Sequence, residues 1–177
     1  SKAQLSAWRE LSGWKEIVFQ AGLKRIRGIV QFYLVETHPH FKLYLSPVNF
    51  NPREPLFPIS SPKEYSRKLA DTLGLYHTQG MPLDTWAVNE NRLSEAALLS
   101  QADQVYKEKT SILNQELGTF KKGVFFCYLG LLDTVQHMFW RYRDPLHPGY
   151  EKDAPAQYQH AIENWYKKMD EMLGIVM

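Results

Sequence analysis

Asp133 and His137 are the two side chains whose types and spacing point most directly to chemistry. They stand four residues apart at the end of the stretch Gly123-Val-Phe-Phe-Cys-Tyr-Leu-Gly-Leu-Leu-Asp133-Thr-Val-Gln-His137-Met-Phe-Trp140. The apolar, aromatic first part reads as a strand buried on both faces, and ligand sites of open α/β sheets lie where such strands end. If a helix begins at Asp133, residues i and i+4 project from one face into that crevice. A carboxylate and an imidazole converging there can bind zinc or manganese. The same two residues also fit a helix N-cap and a core histidine packed among Met138, Phe139 and Trp140.

Further polar groups follow in the segment Arg141-Tyr-Arg143-Asp144-Pro-Leu-His147-Pro-Gly-Tyr150. Arg141, Arg143 and His147 can contact a bound phosphate or orient metal ligands from behind, with an Asp144–Arg ion pair and a Pro-fixed turn as the alternative. Arg53 sits in Ser46–Pro62, which holds five prolines and no periodicity. Long loops of this kind often serve a site, and the planar guanidinium of Arg53 suits a substrate phosphate; simple exposure is the other reading. His38 and His40 flank a Pro in a turn and lack carboxylate or thiol neighbours, so no ligation is assigned to them.

The motifs Asp133-x-x-x-His137, Met138-Phe-Trp-Arg-x-x-Asp144-Pro-x-His147-Pro-x-Tyr150 and Tyr166-x-x-Met-Asp170-x-x-x-Gly174 together resemble the middle of an alkaline phosphatase superfamily protein. The resemblance is greatest to the predicted phosphohydrolases and phosphomutases near the type I phosphodiesterase/nucleotide pyrophosphatase group. Leu43-Tyr-Leu-Ser-Pro-Val-Asn-Phe-Asn-Pro-Arg53, Pro58-Ile-Ser-Ser-Pro62 and Gln79-Gly-Met-Pro-Leu-Asp84 extend it over most of the chain. It implies that Asp133 and His137 hold one of two divalent metal ions, zinc or manganese, in an enzyme acting on a phosphate ester. It also implies an α/β fold, a fragment of the three-layer alkaline-phosphatase-like architecture carrying an antiparallel hairpin and a loop-rich cap insertion. The family's Ser or Thr nucleophile and its remaining ligands have no counterpart here. The chain opens at Ser1 and stops at Met177 just after a helix. The expectation is an internal, inactive piece whose partner is the rest of a longer polypeptide. A phosphomutase with the same metal site and a non-catalytic interaction module are the alternatives.

The supporting elements follow from periodicity. Residues 3–20 place Trp8, Leu11, Trp14, Ile17 and Val18 at helical spacing, interrupted by Ser12-Gly13, which predicts a short amphipathic segment. Arg27–Thr37 and Phe41–Ser46 read as an antiparallel hairpin. Ser61 as cap, Pro62, Glu64 and the terminating Gly74 outline a helix with a stripe of Tyr65, Leu69 and Leu73. Residues 75–89 read as a loop. Arg92–Leu117 is a long helix capped by Ser94 and stopped by Gly118, with Lys107-Glu108-Lys109 on its solvated face. A last helix follows Asp153-Ala-Pro155, with Tyr158, Ile162, Trp165, Tyr166, Met169 and Leu173 on one face and His160 at the surface. The expected organisation is a lead-in over 1–22, the hairpin and cap-like insertion over 23–90, and a helix-strand-helix part of the catalytic core over 91–177.

Composition sets outer bounds. With 177 residues, 44% of them hydrophobic, the chain can bury a core. A net charge of +2, with 21 basic and 19 acidic residues interspersed, gives no footprint for a nucleic-acid polymer, and Lys24-Arg25-x-Arg27 reads as a solvated strand start. Cys127 has no partner and reads as a small buried hydrophobe. No apolar run approaches the roughly eighteen residues of a membrane helix, and a reducing, cytoplasmic setting is the expectation.

Overall fold

A computed structural model of the chain describes residues 11–177. The architecture is mixed α/β with two small antiparallel sheets. It divides into two compact units, residues 1–108 and 109–177. Trp8 and the start of the expected amphipathic lead-in lie outside the described residues.

In the first unit, β1 (Lys15–Ala21) and β2 (Lys24–Val30) form a hairpin, and β2 pairs on its other edge with β5 (Asn49–Phe50). This corrects the helical reading of Trp14, Ile17 and Val18. Gly22, at φ 61°, occupies the tight connection Gly22-Leu23, and the two flanking runs are β-branched and alternating. Strand pairing overrides the weak helical spacing. Gly28 is required for a second reason: a Cβ there would meet Val48 Cγ1 at 2.6 Å, where β5 closes on β2.

The expected hairpin exists in its second part. β3 (Phe32–Glu36) pairs with β4 (Lys42–Leu45), with a register irregularity between Leu34 and Glu36. Arg27–Val30, however, belongs to β2. Gln31 separates the two sheets: its amide donates to Ser46 Oγ and its carboxamide to the Ser12 carbonyl, and the residue is almost wholly buried. Ser12 Oγ in turn accepts from the Phe32 amide. A polar side chain fixed at this point changes the chain's pairing partner without leaving an unsatisfied group.

Helix α1 (Tyr65–Leu73) ends at Gly74 as expected, but it begins after Ser61. Glu64 takes the cap position without a side-chain cap bond, and Ser60 Oγ accepts from the Ser66 amide instead. Its buried residues are Ser66, Leu69 and Ala70; Tyr65 and Leu73 are half-buried. Within the expected loop 75–89 lies a short helix, α2 (Thr85–Asn89), capped by the Asp84 side chain, which accepts from the Ala87 amide. The other oxygen of Asp84 accepts from Tyr44 Oη at 2.7 Å, and Gln101 bonds both Tyr44 Oη and the Asp84 amide. Burial and the Asp84 bond push the Tyr44 hydroxyl well above the usual tyrosine range, so it stays a donor.

Helix α3 (Glu95–Thr119) is capped by Ser94, as the sequence predicts, but it passes through Gly118 to Thr119. A glycine in the last turn of a long helix costs only about 1 kcal/mol relative to alanine. On the expected solvated face Lys107 is exposed, but Glu108 is not. Glu108 is largely buried: Oε1 accepts from the Trp14 indole at 3.0 Å and from Gln104, while Oε2 accepts from the His77 amide and lies 2.7 Å from His77 Nδ1. Gln101 and Glu108 occupy stripe positions with Leu98 and Val105, so polar residues sit where the helix faces inward.

In the second unit, the apolar run Val124–Leu129 forms neither strand nor helix. This corrects the expected buried strand: Val124, Phe126 and Tyr128 are 94%, 85% and 67% exposed, whereas Phe125, Cys127 and Leu129 are half-buried. The run has the period of a strand, but no described segment pairs with it. Helix α4 (Leu131–Phe139) follows, continuing into a 3-10 turn at Trp140–Tyr142; then come α5 (Ala156–Gln159) and α6 (Ala161–Val176). Leu131, Val135 and Phe139 face Ile162, Trp165 and Met172 across the α4–α6 contact, and Phe139, Tyr142 and Tyr158 cluster with ring centroids 5.3–5.8 Å apart. Tyr166 and Leu173, expected in the buried stripe, are exposed.

Two stability predictions follow from these cores. Phe139 is 0% exposed, so Phe139→Ala is expected to destabilise the second unit by about 3–5 kcal/mol in urea unfolding monitored on that unit. For Glu108, burial raises its proton affinity, but the bonds from His77 and Trp14 outweigh this and hold the carboxyl below its ordinary value of 4.5. A depressed folded value stabilises the protein above the unfolded value and ceases to do so as pH falls through the folded one. The stability difference between the native chain and Glu108→Gln should therefore shrink as pH falls below about 4.5. A difference that grows as pH falls below that value contradicts the assignment.

Candidate functional site

Asp133 and His137 both lie on α4, which begins at Leu131 and not at Asp133. Gly130 is the cap residue and contributes no side-chain bond, so Asp133 is not the N-cap; it sits in the first turn, and His137 in the last. His137 is not a core histidine. The buried line Leu131, Val135, Phe139 repeats every four residues, and Asp133 and His137 fall two positions after its first two members, roughly 200° round the helix. Packing of that line on α6 therefore turns the pair outward. Their side chains are 70% and 78% exposed, which corrects the expectation of a crevice.

Asp133 Oδ1 lies 3.5 Å from His137 Nε2. Two donors each about 2.1 Å from a tetrahedral zinc ion are separated by roughly 3.4 Å, so this pair fits one edge of such a coordination shell. The residues thus suit a divalent ion, as two donors of the three a catalytic zinc normally takes from protein. Among the described residues, no group of three or more His, Cys, Asp or Glu is arranged to hold a metal ion. The Tyr166 hydroxyl donates to Gln136 Oε1 at 3.0 Å, a further tie between α4 and α6 beside the pair.

The other residues singled out are engaged locally. Arg143 pairs with Glu163, and Arg141 donates to Tyr142 Oη at 2.6 Å while its guanidinium lies over the Tyr142 ring. His147 Nδ1 accepts from the Gly149 amide, closing a tight turn. Asp144 accepts from the Trp140 indole and the Leu146 amide, in place of the Asp144–Arg pair weighed from sequence. His160 caps α6 at the surface, 3.4 Å from Glu163. Arg53 belongs to the first unit, where its Nε reaches Asp71 at 2.8 Å and its Nη2 reaches the Ala70 carbonyl. None of these bonds involves Asp133 or His137.

The sequence reading missed the Trp14–His77–Glu108 cluster. Its only signal was Glu108 at the helical spacing of Leu98 and Val105, masked by lysines on both sides. The His77 ring meets the Trp14 ring edge-on at 4.6 Å, so imidazole, indole and carboxylate form one satisfied group. With the carboxylate ionised, the 2.7 Å separation places a proton on His77 Nδ1.

Without added metal, the Asp133–His137 contact is an exposed i,i+4 pair, and a double-mutant cycle with Asp133→Asn and His137→Ala should give a coupling of only about 0.3–0.5 kcal/mol. A coupling several times larger in thermal unfolding would mean that the pair is a structural element of α4. No family model, no curated protein and no solved structure matches this chain.

Proposed function

We propose that this chain contributes Asp133 and His137 as two ligands of one divalent-metal site in a phosphoric ester hydrolase of the phosphodiesterase/nucleotide pyrophosphatase type, and that the 177-residue chain alone is catalytically inert. The observation that carries the reading is the pair's geometry: a carboxylate oxygen and an imidazole nitrogen 3.5 Å apart, on the outward face of a helix whose other face is locked. A bound zinc or manganese ion would supply Lewis-acid stabilisation of a phosphoryl oxygen. The chain's own contribution is to orient the two donors: α6 fixes the rotation of α4, and the i,i+4 spacing keeps Oδ1 and Nε2 at an edge length a metal accepts. Two donors hold an ion weakly, and neither is a nucleophile for phosphoryl transfer in this arrangement, which is why inertness is part of the proposal.

One observation favours a structural reading. Asp133 in the first turn of α4 complements the helix dipole, as does His137 in the last turn when it carries a proton on both nitrogens, an effect of about 0.3–1 kcal/mol each that needs no metal. The two readings separate in a titration of the chain with zinc and manganese chlorides, followed by NMR at the His137 ring and the α4 amides. The metal reading expects zinc-induced shifts at His137 and manganese broadening centred on residues 133–137, both lost in Asp133→Asn and His137→Ala. The structural reading expects no response. Inertness is checked separately with bis(p-nitrophenyl) phosphate: turnover that survives purification and vanishes in Asp133→Asn contradicts it.

A further inference from the structure

Between the Pro-rich loop and the start of α1 lies a cavity of about 470 Å³, lined by Arg53, Pro55, Pro58, Lys63, Ser66 and Arg67 among others. We propose that it is a binding site for organic phosphate monoesters, a role that does not depend on Asp133 or His137. Arg53 is a buttress: Nε and Nη2 are taken by Asp71 and the Ala70 carbonyl, which fixes the guanidinium plane against α1. Arg67 donates its Nε to the Arg53 carbonyl at 2.9 Å, so it too is oriented, yet both of its terminal nitrogens have no acceptor among the described residues. A guanidinium fixed through Nε, with its outer edge open onto a cavity, presents a preformed fork to two anionic oxygens.

The charge balance of the wall supports the same ligand. Of the acidic groups there, Glu54 is paired with Arg27 at 3.2 Å, and Asp71, behind the wall, with Arg53. Lys63 and Arg67 then face Glu64 alone, whose carboxylate stands 4.0 Å from Lys63 Nζ with both side chains exposed. Glu64 stands at the cap of α1, but its side chain makes no bond to the first amides of the helix. The buried Ser66 hydroxyl donates to the Lys63 carbonyl beside the cavity, and Pro55 and Pro58 add apolar surface to its lining. A bare phosphate would leave those prolines uncovered, whereas an apolar group esterified to it would bury them, and the volume lies within the range of small-ligand sites. The sequence offered Arg53 for phosphate recognition, with simple exposure as the other reading; the proposal places the fork at Arg67, with Lys63 beside it and Arg53 as the support of Arg67.

The test titrates the 177-residue chain with phenyl phosphate and, separately, with inorganic phosphate, following amide shifts of residues 53–67 by NMR. Phenyl phosphate should bind saturably and more tightly than inorganic phosphate, and Arg67→Gln should weaken it by about tenfold. Lys63→Gln, at an exposed position outside any helix, should weaken it severalfold and serves if Arg67→Gln perturbs the loop, with circular dichroism as the check on folding. Lys152→Gln, an equal change of charge in the other unit, should leave the affinity unchanged. Non-saturable shifts, equal affinity for inorganic phosphate, or indifference to both Arg67→Gln and Lys63→Gln overturns the proposal.

Discussion

A carboxylate withdrawn from water must be met by donors or lose its charge, and Glu108 meets that constraint with groups drawn from distant parts of the first unit. The Trp14 indole comes from the segment just before β1, the His77 amide and ring from the loop after α1, and Gln104 from α3 itself. Four contacts to one side chain offset a desolvation cost that a single hydrogen bond, at a net 0.5–1.5 kcal/mol or so, would not. The exposed ion pairs of the same unit, such as Arg27–Glu16 at 3.8 Å, are worth far less, because both ends remain hydrated. Long-range order in this unit therefore depends on buried polar groups more than on its surface charges. Tyr44, Asp84 and Gln101 repeat the principle between β4 and α3, and Asn49 does so by accepting from the Thr78 and Gln79 amides.

The second unit is organised by a different force. Its core is aromatic and aliphatic, built on Phe139, Trp165, Met172 and Val135, all at most 2% exposed. Apolar packing sets how far α4 is rotated about its axis, and that rotation decides where Asp133 and His137 point. The chemistry proposed for the pair thus rests on side chains that carry none. The cationic cavity of the first unit is independently built, since its fork is oriented by hydrogen bonds to backbone and to Asp71 rather than by apolar packing.

The sequence by itself determined what local physics controls. Gly74 ends α1 because its φ of 89° suits glycine, Ser94 caps α3 because its hydroxyl reaches the Ala97 amide, and β3 and β4 pair because alternating runs stand a short turn apart. The Asp133/His137 spacing was equally legible, since i and i+4 always share a helical face. Only the tertiary structure decided the rest, because each remaining feature depends on a partner remote in sequence. Glu108 between two lysines is indistinguishable from a surface residue until Trp14 and His77 arrive. Val124–Leu129 has the composition of a central strand, but a strand requires a ladder, and composition does not supply the neighbour. Arg53 and Arg67 are alike as letters. Their division into support and open fork follows from Asp71 lying beside one of them, and from which edge of each guanidinium the folded backbone already occupies.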